Sequence, residues 1–94
     1  MSLKVKISED MKNAMRSKDS ARLGAIRLLQ SALKQKEVDE RIVIGDDDVL
    51  IIIEKMLKQR RDSIDAFKKA DRQDLVENEE FEVSVLMQYM PEPL

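Results

Sequence analysis

The chain has 94 residues and a mass of 10.9 kDa, room for one small hydrophobic core and too little for a kinase, a barrel enzyme or a Rossmann domain with a partner domain. It is 43% apolar, 38% charged and 3% aromatic, with two Gly and two Pro, the balance of a helical protein rather than a turn-rich sheet protein. It has no Cys and no His, which excludes thiolate nucleophiles, disulfides, zinc sites with nitrogen or sulfur ligands and every triad that needs an imidazole base. The net charge of -2 conceals an uneven distribution: all 17 Lys and Arg lie in residues 1–72, and residues 73–94 carry six acids and no base. That asymmetry fits a nucleic-acid-binding face, and equally two helices of opposite sign packed together.

Apolar spacing predicts four helices. Ile7, Met11, Ala14 and Met15 recur at helical spacing over residues 2–16. Polar residues 17–19 then break the pattern, and Asp19 or Ser20 is placed to cap the next helix. Over residues 20–40, Leu23, Ile26, Leu29 and Leu33 form one stripe, widened by Ala21, Ala25, Leu28 and Ala32 into an arc suited to a helix with more than one neighbour.

Residues 41–48 form the clearest loop, where Ile42, Val43 and Ile44 run into Gly45 and three aspartates. Negative charge in a first turn complements the helix dipole, and Ile44 is placed to staple onto Val49. The third and longest helix, over residues 46–70, carries Val49, Ile52, Ile53, Met56, Ile64 and Phe67 on one face. After a turn at residues 70–72, the fourth helix, over residues 74–89, carries Leu75, Val83, Leu86 and Met90; Pro91 and Pro93 bar its continuation. The fold expected is all-α without a sheet: an antiparallel four-helix arrangement in one domain over residues 1–94, with a short first helix and a hairpin of helices three and four.

Three charges break this pattern. Arg60 falls in the middle of the apolar stripe of the third helix, and Glu79 and Glu82 flank the stripe of the fourth. Buried Arg is rarely tolerated unpaired, so Arg60, Glu79 and Glu82 are expected to form a buried ion-pair network across the hairpin. Two roles are open to it: a structural pair that fixes register, or a charged pocket awaiting a ligand or partner.

Lys58, Gln59, Arg61, Lys69 and Arg72 are candidates for RNA or partner binding, and Lys12, Arg16, Lys18, Arg27 and Lys34 could also track phosphates; the competing account is an ordinary solvated face, since Glu54, Asp62 and Asp65 are interleaved with the first group. Phe67 and Phe81 read as packing residues, leaving Tyr89 as the ring available to stack on a base. No complete catalytic constellation is present. Ser31 and Lys34 match a Ser-x-x-Lys spacing but sit mid-helix without an oxyanion-donating turn, and Asp46, Asp47 and Asp48 are explained better by a helix start than by a magnesium site.

No catalytic residue, cofactor or metal is expected. The longest apolar run, Val49 to Ile53, is far short of the roughly 20 residues that span a bilayer, and no signal segment opens the chain. These features point to a cytoplasmic protein with no membrane association.

The stretch from Lys58-Gln59-Arg60-Arg61-Asp62-Ser63 through Phe67, Ala70, Arg72, Asp74-Leu75, Glu79, Glu82, Leu86 and Tyr89-Met90-Pro91, with the opening Asp10-Met11-Lys12, Ala14-Met15, Lys18-Asp19, Arg22-Leu23 and Ile26-Arg27, resembles the YqeY-like proteins, grouped with the tail of the B subunit of the aspartyl/glutamyl-tRNA amidotransferase. The resemblance covers nearly the whole chain. Two positions depart from it: Asp71 stands where the family usually has Gly, and Pro93 where it has a polar residue. Family members usually continue into a small helical tail domain associated with tRNA contact, and this chain ends at that boundary, so the tail is expected to be absent.

The resemblance implies an all-helical N-terminal domain of a bacterial protein, a noncatalytic adaptor in tRNA-dependent amidation with tRNA or amidotransferase subunits as partners. The alternative it implies is an accessory or catalytic part of a glutamine-dependent amidotransferase, a carbon-nitrogen ligase with glutamine as amido donor.

Overall fold

The computed structural model describes residues 2–91; Met1 and the helix-barring Pro93 lie outside them. Among the described residues there are four helices, α1 (Leu3–Arg16), α2 (Ser20–Glu40), α3 (Asp46–Lys69) and α4 (Gln73–Met87), and no strand. The protein is all-α, as its composition predicts. The chain divides into two compact units, one through Ile52 and one from Ile53 onward, with the boundary inside α3.

In the first unit, α1 begins where the Ser2 hydroxyl accepts the Val5 N–H at 3.2 Å, and α2 begins where Asp19 accepts the Arg22 N–H at 3.1 Å, each satisfying a donor the helix itself leaves orphaned. α1 and α2 form an antiparallel hairpin and bury Ile7, Ala14, Ala25, Ile26, Leu29 and Leu33. Each fully buried Ile or Leu contributes about 1.5–3 kcal/mol.

The start of α3 closes this unit. Asp48 accepts the Gly45 N–H at 3.2 Å, and Asp46 accepts the Leu3 N–H of α1 at 3.0 Å. Ile44 and Val49 are both buried, at the two positions a hydrophobic staple occupies.

In the second unit the C-terminal part of α3 and α4 form a hairpin. Ile53, Met56, Leu57, Val76, Val85, Leu86 and Tyr89 are buried. α4 ends in a turn at residues 88–90, two residues earlier than its apolar pattern suggests.

The three interhelical connections share one device. Lys18, Arg41 and Asp71 have φ of 58°, 53° and 57°, the left-handed conformation that terminates a helix. The following residue then bonds back to the helix: Asp19 N–H to Ala14 at 3.0 Å, Ile42 N–H to Glu37 at 3.3 Å and Arg72 N–H to Phe67 at 2.9 Å. These are Schellman-type closures built without glycine.

Asp71 thus adopts the turn for which the resembling family uses Gly. Both glycines of the chain lie elsewhere; Gly24 sits inside α2 with nothing within 4 Å of where a Cβ would be. Asp71→Gly relieves left-handed strain and Gly24→Ala restores helix propensity, so each is expected to stabilise the protein by about 0.5–1 kcal/mol. Urea midpoints measure this, and an unchanged or lowered midpoint would contradict the assignment.

Candidate functional site

In the second unit, helical geometry carries Arg60 to the middle of the face that α3 turns toward α4, four residues after Met56 and three after Leu57, both buried. Glu79 and Glu82 occupy the corresponding part of α4. The structure brings the three together: Arg60 Nε lies 3.4 Å from Glu79 Oε2 and pairs also with Glu82 Oε2.

The depth of the cluster differs from the sequence expectation of a buried network. The Arg60, Glu79 and Glu82 side chains keep 20%, 21% and 25% of their exposure, and no charged residue is fully buried among the described residues. Long stems let the charged ends remain near solvent while the methylenes pack. Within the cluster, Arg60 Nε and Glu79 Oε2 are shielded from solvent without an aligned hydrogen bond, so charge proximity rather than hydrogen-bond geometry holds the arrangement.

The candidate binding residues divide. Lys58, Gln59, Arg61 and Lys69 are exposed on α3, and none of the three cations has an ion pair among the described residues. Arg72 is also exposed but engaged: its Nε and Nη2 donate to the two carboxylate oxygens of Asp74 at 3.3 and 3.2 Å. Those hydrogen bonds hold the Asp74 carboxyl below the usual carboxylate range and raise Arg72 further.

The aromatic assignments reverse. Tyr89 is only 3% exposed and cannot offer its ring to a base, whereas Phe81, read from sequence as a packing residue, is 36% exposed. On α4 Phe81 faces the same side as Glu77, Ser84 and Gln88, all exposed; the apolar stripe reaches Tyr89 instead, which follows the buried Val85 and Leu86 by four and three residues.

In the first unit a groove of about 280 Å³ runs between α1 and α2, lined by Lys4, Ile7, Gln30, Leu33, Lys34 and Glu37. Lys4 Nζ bonds Glu37 across it at 3.0 Å. Thirty-three residues separate that pair in sequence, so no local motif announces it. The three aspartates behave as a helix start, with Asp46 and Asp48 accepting backbone N–H groups. Among the described residues no group of three His, Cys, Asp or Glu is placed to hold a metal ion, and no helix is long and apolar enough to cross a membrane.

The model of the YqeY-like protein family matches residues 4–94. The chain belongs to that family. Among curated proteins it is similar to altered inheritance of mitochondria protein 41 of Eremothecium gossypii, 40% identical over 85 residues that make up 89% of this chain and 46% of that protein. The protein of that name from Saccharomyces cerevisiae is 38% identical over 82 residues, 86% of this chain and 44% of its own length. An uncharacterized protein of Schizosaccharomyces pombe is 30% identical over 90 residues, 96% of this chain and 73% of its own length.

The chain spans about half the length of the first two relatives. Their names correct the cytoplasmic placement expected from the sequence, since both are called mitochondrial. That expectation rested on the short apolar runs and the opening of the chain, features that bear on membrane spans and secretory signals and do not discriminate among the remaining compartments.

The Arg72 pairing gives a direct check. A carboxyl with a depressed folded-state pKa takes up its proton at lower pH, and whatever the pair contributes is present above the ordinary carboxylate range and lost as pH falls through the depressed value. In an NMR titration Asp74 is expected to protonate below the ordinary Asp value and to move back toward it in Arg72→Ala; identical midpoints in both proteins would show that the pair does not persist in solution.

Proposed function

We propose that the chain is a noncatalytic helical adaptor associated with tRNA-dependent amidation, contributing to the binding of tRNA or of a tRNA-handling enzyme. The observation that carries this reading is the outer face of α3, where Lys58, Arg61 and Lys69 are exposed and have no ion pair among the described residues. Cations in that state neutralise phosphates without first breaking an internal pair. The kinship of the YqeY-like family with the amidotransferase B-subunit tail supplies the biochemical setting. Phosphate contact needs no stacking ring, so the burial of Tyr89 does not count against this reading.

A catalytic role has less support. The central carboxylates, Glu79 and Glu82, are both engaged by the Arg60 guanidinium, whereas a general acid or base must be free to reach the reacting group.

Titration of a transcribed tRNA with the 94-residue chain tests the reading. Three phosphate contacts alone predict that affinity falls roughly 20- to 40-fold between 50 and 200 mM salt, and every further contact steepens the fall. Affinity that ignores salt, or no binding at micromolar protein, would remove the RNA reading. A rise in glutamine-dependent ammonia transfer to misacylated tRNA, when the chain is added to an amidotransferase, would replace the adaptor with an activating subunit.

A further inference from the structure

The first unit distributes its charges asymmetrically. Seven of its nine acids have intramolecular partners among the described residues: Asp10 pairs with Lys6, Glu37 with Lys4, Glu40 with Lys36 and Asp19 with Arg22, while Asp39, Asp46 and Asp48 accept hydrogen bonds from Gln35, Leu3 and Gly45. Its bases are not matched in the same way. Lys12, Arg16, Lys18, Arg27 and Lys34 are all exposed, and none has an ion pair among the described residues. Between residues 11 and 36 there are seven Lys and Arg and a single acid, Asp19. The α3 surface is weaker by the same measure, since Glu54, Asp62 and Asp65 are interleaved with its bases and Arg60 and Arg72 are engaged internally.

Geometry arranges these bases usefully. Arg27 and Lys34 stand seven residues apart, two turns along one side of α2, and Gln30 between them lines the α1–α2 groove together with Lys34. Lys18 marks the closed end of the hairpin, at the left-handed turn. From Lys18 to Lys34 the hairpin extends roughly 24 Å at about 1.5 Å per residue, a length that follows several successive phosphates of one strand. The groove floor is apolar, from Ile7 and Leu33, and its one acid, Glu37, is held by Lys4.

We infer that the α1–α2 hairpin is the principal phosphate-binding element of the protein, with Lys12, Arg16, Lys18, Arg27 and Lys34 contacting the backbone of a structured RNA and the α3 cations contributing less. This rests on the RNA reading proposed above and assigns it a different surface. Recognition through five exposed bases and no stacking ring is governed by shape and charge rather than by base sequence.

The test compares three proteins of full length for this chain: the parent, a hairpin variant (Lys12→Ala, Arg16→Ala, Arg27→Ala, Lys34→Ala) and an α3 variant (Lys58→Ala, Arg61→Ala, Lys69→Ala). All seven substitutions are at exposed helical positions where alanine is favourable, and helical circular dichroism confirms folding. Transcribed tRNA is titrated at several salt concentrations. The hairpin variant is expected to flatten the slope of log affinity against log salt by roughly 3, with the larger loss of affinity, and the α3 variant to lose less.

Parent-like binding by the hairpin variant, with binding lost in the α3 variant, would overturn this assignment and leave the adaptor reading intact. Absence of tRNA binding by the parent would remove both. Retention of the parent on phosphatidylserine vesicles without tRNA binding would overturn the assignment in favour of a lipid surface.

Discussion

Arg60 sits where the helical period of α3 calls for a hydrophobe, between Met56 and Ile64, and its position is tenable because α4 presents Glu79 and Glu82 opposite it. An apolar stripe alone permits neighbouring helices to slide by a turn at modest cost. A cation facing two anions does not, because sliding leaves a partly desolvated charge without a partner, which is worth several kcal/mol at full burial and less at the one-fifth exposure seen here. The hairpin of the second unit therefore has its register fixed by electrostatics within an apolar contact.

The same economy appears in the connections. Each of the three turns uses a left-handed residue bearing a side chain, Lys18, Arg41 or Asp71, although the sequence has glycines that could have served. A left-handed non-glycine residue costs about 1 kcal/mol, offset by the carbonyls that the backward hydrogen bonds satisfy and by the caps that Asp19 and Asp48 provide for the following helices. Two of the three strained residues are bases, and one of them, Lys18, stands at the end of the hairpin that carries most of the unpaired positive charge.

Much of the fold is legible in the sequence because helices are local. The 3.6-residue period locates all four, Asp19 and the triple aspartate announce two starts, and Arg60 stands out as a charge in an apolar stripe. Side chains whose environment depends on distant chain are less legible. The Lys4–Glu37 pair joins residues 33 apart, whereas the roles of Phe81 and Tyr89 are legible on a helical wheel, which sets Tyr89 three and four residues after the buried Leu86 and Val85 and Phe81 on the side of the exposed Glu77 and Ser84. Arg72 looks like any other base until Asp74, two residues on and across a helix start, is seen to occupy it. Function is legible only through composition and kinship, since charge pairing decides which bases remain available, and pairing is a property of three dimensions.

The charge-pairing account of α3 and α4 is tested most directly by reversal and restoration. Arg60→Glu places three acids together and is expected to lower stability in urea by about 2–3 kcal/mol, and adding Glu82→Arg to that variant is expected to recover about 1 kcal/mol or more. A double variant no more stable than Arg60→Glu alone would show that the register of this hairpin is set by packing and that the three charges are incidental to it.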